Sequence, residues 1–233
     1  MILENLTNIK HRIARAASRV NRSPANIKLV AVSKRIPPER ILAAIDIGHS
    51  VFGENYVQEA VEKIPYIQNL ASRKVVFHFI GNLQSNKAKK SAELFDVIET
   101  VDNIKLGLAL EKHCAALNKT LEAYVQVNIG AEKQKSGVRP EDCEKLLHGL
   151  IQCQFLRITG LMTMPPYCTD PENTRPFFKH LRQLSEALTA KGLLGQHGPV
   201  ELSMGMSGDF EVAIEEGATV VRIGTALFGA RTH

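Results

Sequence analysis

Two rhythms of apolar residues alternate along the chain. Short runs rich in β-branched residues, bounded by Gly, Pro and polar clusters, read as strands, and longer stretches with apolar residues every three or four positions read as helices. Leu3, Leu6, Ile9, Ile13 and Ala16 fall on one helical face. A break over 21–24 follows, then a strand over 28–34, where nothing polar interrupts Leu29 to Val32, so both faces are expected to be buried. Pro37 and Pro38 cannot continue a ladder and instead open a helix over 37–47 that closes at Gly48. The pattern continues with strands over 49–53, 75–80, 95–100, 121–129, 156–164, 200–204 and 219–223. Helices are predicted between them over 54–64, 84–90, 103–117, 140–151, 174–190 and 209–216.

Strict strand–helix alternation implies parallel strands joined by right-handed crossovers. Eight such units in 233 residues point to an α/β architecture, a closed (β/α)8 barrel of TIM type with one extra N-terminal helix. An open doubly wound sheet shares the same alternation. Against a dinucleotide site stands the lack of a GxGxxG loop after the first strand. With no linker, repeat or shift in composition, residues 1–233 are expected to form a single domain.

Composition narrows the function classes. The chain is 44% apolar and 23% charged, as in an ordinary globular protein. A net charge of +5 is mild and dispersed, suiting phosphorylated or carboxylated small molecules no less than nucleic acid. Trp is absent and aromatics make up 6%, leaving few stacking platforms for single strands, and the short basic run over 86–90 reads as a solvated helix face. No nucleic-acid partner is expected. Neither is a membrane partner, since no apolar run approaches a spanning length and the charged N-terminus has no signal-peptide core. Cys114, Cys143, Cys153 and Cys168 show no ligand-like spacing and fit reduced thiols in a cytoplasmic protein.

Barrel chemistry is built at the C-terminal ends of the strands. There the pattern places Lys34, then Glu54 and Asn55, His78 and Asn82, Met162 and Thr163, the run Ser203 to Asp209, and Arg222 to Thr225. A strand-end lysine either snorkels to solvent or, partly desolvated, becomes a nucleophile towards a carbonyl. After the last two strands, Gly205, Gly208 and Gly224 let backbone approach an anion, and Ser207 and Thr225 add hydroxyl donors. The helix starting near Asp209 is expected to aim its N-terminus at the same point. Arg222 interrupts an otherwise apolar strand, so its charge needs either a structural carboxylate or a ligand atom inside the barrel. Lysine, phosphate cradle and buried arginine together suit pyridoxal 5′-phosphate (PLP).

These residues also carry a family resemblance. The runs 30–34, 52–56, 77–87, 160–164, 202–209 and 222–229 resemble, in order and across nearly the whole chain, the pyridoxal phosphate homeostasis protein family. Most specific are His78-Phe79-Ile80-Gly81-Asn82-Leu83-Gln84 and Ser203-Met204-Gly205-Met206-Ser207. The resemblance implies a barrel similar to the N-terminal domain of alanine racemase and to fold-type III PLP barrels. It implies Lys34 as the Schiff-base lysine, phosphate held by Ser207, Gly224 and Thr225, Arg222 facing the pyridine nitrogen, and Asn55 and Met206 lining the ring pocket. No metal is implied. Racemases of this fold add a second domain bearing a tyrosine base, whereas this chain ends soon after its last strand and its four tyrosines lie within the barrel sequence. The resemblance therefore implies a monomeric carrier or buffer of PLP, serving PLP-dependent apoenzymes, without robust amino-acid turnover; a PLP-dependent racemase is the alternative. Lys133 and Lys135 are candidates for a second, transient PLP acceptor, or are solvated loop lysines.

Overall fold

The computed structural model describes residues 1–132 and 134–229, so Lys133 lies outside the described residues. Eight parallel strands close into a barrel in sequence order, with the last pairing to the first. They are β1 (Lys28–Val32), β2 (Val51–Glu54), β3 (Val76–Phe79), β4 (Val97–Val101), β5 (Leu121–Gln126), β6 (Leu156–Met162), β7 (Glu201–Ser203) and β8 (Val220–Ile223). Closure runs through Lys28 opposite Val220 and Ala31 opposite Ile223, which excludes the open sheet.

Around the barrel lie α2 (Pro38–Asp46), α3 (Val57–Leu70), α4 (Ala88–Leu94), α5 (Ile104–Ala116), α6 (Cys143–Leu150), α7 (Arg175–Ala190), α8 (Phe210–Glu215) and α9 (Thr225–Phe228). In front of β1, α1 (Ile2–Arg19) buries Leu6, Ile9, Ile13, Ala16 and Ala17 and packs on α8 and α9.

Three departures from the pattern have physical reasons. β1 stops two residues before its predicted end: Ser33 and Lys34 leave the ladder as a turn in which the Ile36 amide bonds the Ser33 carbonyl at 3.0 Å. Helix α3 passes through Pro65 instead of stopping before it. Proline removes the bond to the carbonyl of Val61, which lies on the exposed side where water can replace it. Not predicted at all is α9, a single turn directly after the last strand.

Two layers fill the barrel. Val30, Val97, Tyr124, Met162 and Val220 form an apolar cluster separate from the main core between sheet and helices. Two residues further along their strands, and so on the same inward face, come Glu99 above Val97 and Arg222 above Val220. Among the described residues, no helix is long and apolar enough to cross a membrane and no group of His, Cys, Asp and Glu could hold a metal ion.

Candidate functional site

Above those layers a cavity of about 600 Å³ opens at the C-terminal ends of the strands. Its lining includes Lys34, Asn55, Met206, Ser207, Arg222, Gly224 and Thr225, the seven residues singled out from the sequence. They arrive from four strand ends. Lys34 follows β1, Asn55 follows β2, Met206 and Ser207 follow β7, and β8 supplies Arg222 with Gly224 and Thr225 just beyond it.

Arg222 is buried at the cavity floor. A structural carboxylate is present: Glu99 lies 3.8 Å from Nη1. Nη1 also donates to Ser203 Oγ at 2.5 Å and Nη2 to the Thr163 carbonyl at 2.8 Å, yet the same side chain faces the cavity. Burial holds the guanidinium below its ordinary pKa, opposed by the charges of Glu99 and Asp209. Glu99 is wholly buried as well. It accepts from His78 Nδ1 at 2.6 Å and from Ser203 Oγ at 2.5 Å. Burial alone would raise its pKa, but the bond and charge of His78, with Arg222 and Ser203 behind them, hold it below the usual carboxylate value.

The residues expected to form an anion cradle differ in detail from the pattern. Ser207 and Thr225 meet, their hydroxyls 3.3 Å apart, and Gly208 lines the cavity with open space where a Cβ would stand. Gly205 has another task. Its φ is +92°, and a Cβ there would lie 2.6 Å from Ala213 Cβ, so this glycine makes the turn that lets α8 pack. The helix itself is only six residues long, and Asp209 Oδ1 accepts the Met206 amide at 2.7 Å. The N-cap residue Asp209 lines the same cavity as Ser207 and Thr225.

The other candidates divide between the barrel's packed interior and the cavity. Glu54 is buried beneath Lys34, not in the cavity: its Oε1 accepts from Ser33 Oγ at 2.7 Å and from Lys63 Nζ at 3.1 Å, and burial raises its pKa despite Lys63. Thr163 is buried and donates to the Val127 carbonyl at 2.8 Å. Asn82 does line the cavity and donates to Ser136 Oγ at 3.0 Å. Lys135 lines it too, with its ammonium on the Pro165 carbonyl at 2.9 Å and paired to Glu132. Tyr167 is a lining residue not singled out from the sequence, 90% exposed at the mouth.

The residues fit a phosphorylated pyridine aldehyde. Asn55 Oδ1 is buried without a hydrogen-bond partner among the described residues, an acceptor left for something in the cavity. Hydroxyl donors, a guanidinium and an amine surround the same space.

The alanine racemase N-terminal domain family matches residues 5–232. The pyridoxal phosphate homeostasis protein of Escherichia coli strain K12 is 41% identical over 233 residues, covering 100% of this chain and 97% of the relative. The chain belongs to the pyridoxal phosphate homeostasis protein family. Within that family, the solved structure of PipY from Synechococcus elongatus with PLP bound superposes with a TM-score of 0.84 at 34% identity, covering 98% of this chain and 100% of that one. An alanine racemase from Clostridium difficile 630 shares the fold, with a TM-score of 0.73 at 14% identity, and this chain spans 56% of it. Family membership thus accords with the sequence resemblance over the whole barrel.

Proposed function

We propose that this protein carries or buffers PLP through a Schiff base on Lys34 and does not robustly turn over amino acids. The observation that carries this reading is the convergence of Lys34, the Ser207 and Thr225 hydroxyls and buried Arg222 on one cavity, in a family whose member PipY was solved with PLP bound. In this reading residues 1–233 act as one PLP-binding domain. When bound, the cofactor supplies an aldehyde that condenses with an amine and a ring that can withdraw electrons. Ser207, Gly224 and Thr225 hold its phosphate, Asn55 and Met206 flank its ring, and Arg222 faces the ring nitrogen. A guanidinium offers only N–H donors, so Arg222 favours an unprotonated nitrogen and thereby weakens the ring as an electron sink. That choice suits storage better than proton abstraction from a substrate.

The same reading takes a cytoplasmic monomer that supplies PLP-dependent apoenzymes, with neither nucleic acid nor membrane as partner. An absorption spectrum of the purified protein and of Lys34→Ala, with racemase assays on alanine and serine, tests it. The expected result is a visible imine band in the wild type, its loss in the variant, and negligible racemisation. A protein that stays colourless with added PLP overturns the proposal. Robust racemisation moves the assignment to an enzyme, with Tyr167 at the cavity mouth as the tyrosine to mutate next.

A further inference from the structure

The turn that presents Lys34 is fastened from below by a buried charge cluster. Helix α3 sends Lys63, 7% exposed, beneath the end of β1. Its ammonium donates to the Ser33 carbonyl at 3.0 Å and to Glu54 Oε1 at 3.1 Å, and pairs with Glu59 one helical turn away. Glu59 Oε1 in turn accepts the Arg35 amide at 2.8 Å. Backbone groups on both sides of Lys34 thus end on one ion pair. Ser33 is held further by its amide on the Gly53 carbonyl at 2.9 Å. The turn needs such support, because Arg35 sits at φ +57°, a left-handed conformation that costs energy for a residue with a Cβ.

Burying an ammonium between carboxylates is expensive, and well-packed apolar residues would often serve stability as well. Helix α3 already has an apolar stripe of Val57, Ala60, Ile64 and Ile67, and Lys63 lies on it. Stability alone therefore gives little reason for a lysine at this point. Fixing a backbone carbonyl and an amide on either side of one residue does.

We infer that Glu59 and Lys63 are positioning residues for Lys34, holding the turn so that its amine meets an aldehyde in the cavity. This rests on the proposed role of Lys34. It predicts a defect confined to covalent capture, in which the Lys34 nitrogen bonds to the aldehyde carbon and the aldehyde oxygen leaves as water.

Titrations with PLP and with pyridoxine 5′-phosphate, which has the phosphate and ring but no aldehyde, separate the two kinds of binding. Lys63→Met and Glu59→Leu are expected to weaken PLP binding about tenfold, near 1.4 kcal/mol, while binding of the alcohol stays within about twofold. Glu59→Gln keeps an oxygen for the Arg35 amide and should recover most of the PLP affinity. Glu59 is a quarter exposed, so its variants test the inference even where Lys63→Met does not fold. Equal losses for both ligands, or no loss for PLP, overturn it. If wild type and Lys34→Ala bind PLP equally well, the failure belongs instead to the Lys34 reading.

Discussion

At the scale of single residues, what marks this chain is polar side chains where the strand pattern calls for apolar ones. Arg222 declares itself this way, because a charge inside Val220-Val221-Arg222-Ile223 has no cheap explanation. Glu99 in Val97-Ile98-Glu99-Thr100 carries the same signal, and its pairing with Arg222 and His78 becomes visible only once β3, β4 and β8 share one interior. Lys63 was legible in principle: it lies three residues after buried Ala60 and four before buried Ile67. Its i,i+4 partner Glu59 makes it resemble an ordinary surface pair. His49 shows what such burial does to titration. Burial lowers its pKa from 6.5 to about 4, partly opposed by its bond to the Val51 carbonyl at 2.7 Å. The unfolded chain binds a proton near pH 6.5 that the folded chain refuses until about pH 4. This contribution is therefore complete above pH 6.5 and is lost as pH falls towards 4. Urea unfolding should show wild type losing about 2 kcal/mol between pH 7 and pH 5 relative to His49→Gln, which keeps a donor but cannot titrate. Parallel pH curves for the two proteins would remove His49 as the cause.

At the scale of elements, alternation of strand and helix made all eight strands and the order of the barrel readable, because the period of a buried strand and that of an amphipathic helix differ. Boundaries were less readable, since a strand ends where its ladder partner ends. Ser33 and Lys34 directly follow the apolar run of β1 but lie beyond its ladder, and Lys34 reaches the cavity. Close strand approach is another property that only the assembled barrel shows. A Cβ at Gly81 would lie 2.1 Å from the Asn55 carbonyl oxygen, and one at Gly160 would lie 2.2 Å from that of Glu201. Each contact is backbone on backbone, so something must shift. Gly81→Ala and Gly160→Ala are both expected to cost roughly 1–3 kcal/mol in chemical denaturation. Only Gly81→Ala displaces a cavity residue, Asn55, so it alone should also weaken PLP binding. Equal effects on PLP binding would mean that the defect is general loosening and not displacement of Asn55.

At the scale of the whole molecule, the extra N-terminal helix links the barrel's closure to its site. The seam between β1 and β8 is where the chain begins and ends its circuit, and α1 covers the two short helices beside it. Asn5 Nδ2 donates to the Leu227 carbonyl at 2.9 Å, Arg12 pairs with Glu211 at 2.8 Å, and Arg22 Nη1 donates to the Ile214 carbonyl at 2.7 Å. Helices of six and four residues are too short to persist without such packing. Yet α9 begins with Thr225, whose hydroxyl meets that of Ser207 in the cavity and belongs to the proposed phosphate cradle. Weakening the α1 contact should therefore reach the cavity. Ile9→Ala removes one fully packed side chain from α1 at a cost of about 3 kcal/mol. Its expected signature is a lower unfolding midpoint together with weaker binding of pyridoxine 5′-phosphate, which reports on the cradle without Lys34. A comparably destabilising Leu110→Ala, in α5 and outside the cavity lining, provides the contrast: its midpoint should fall while affinity at low temperature holds. Unchanged affinity in both variants would show that α9 and its cradle are fixed by β8 alone, and that α1 supports only the stability of the barrel.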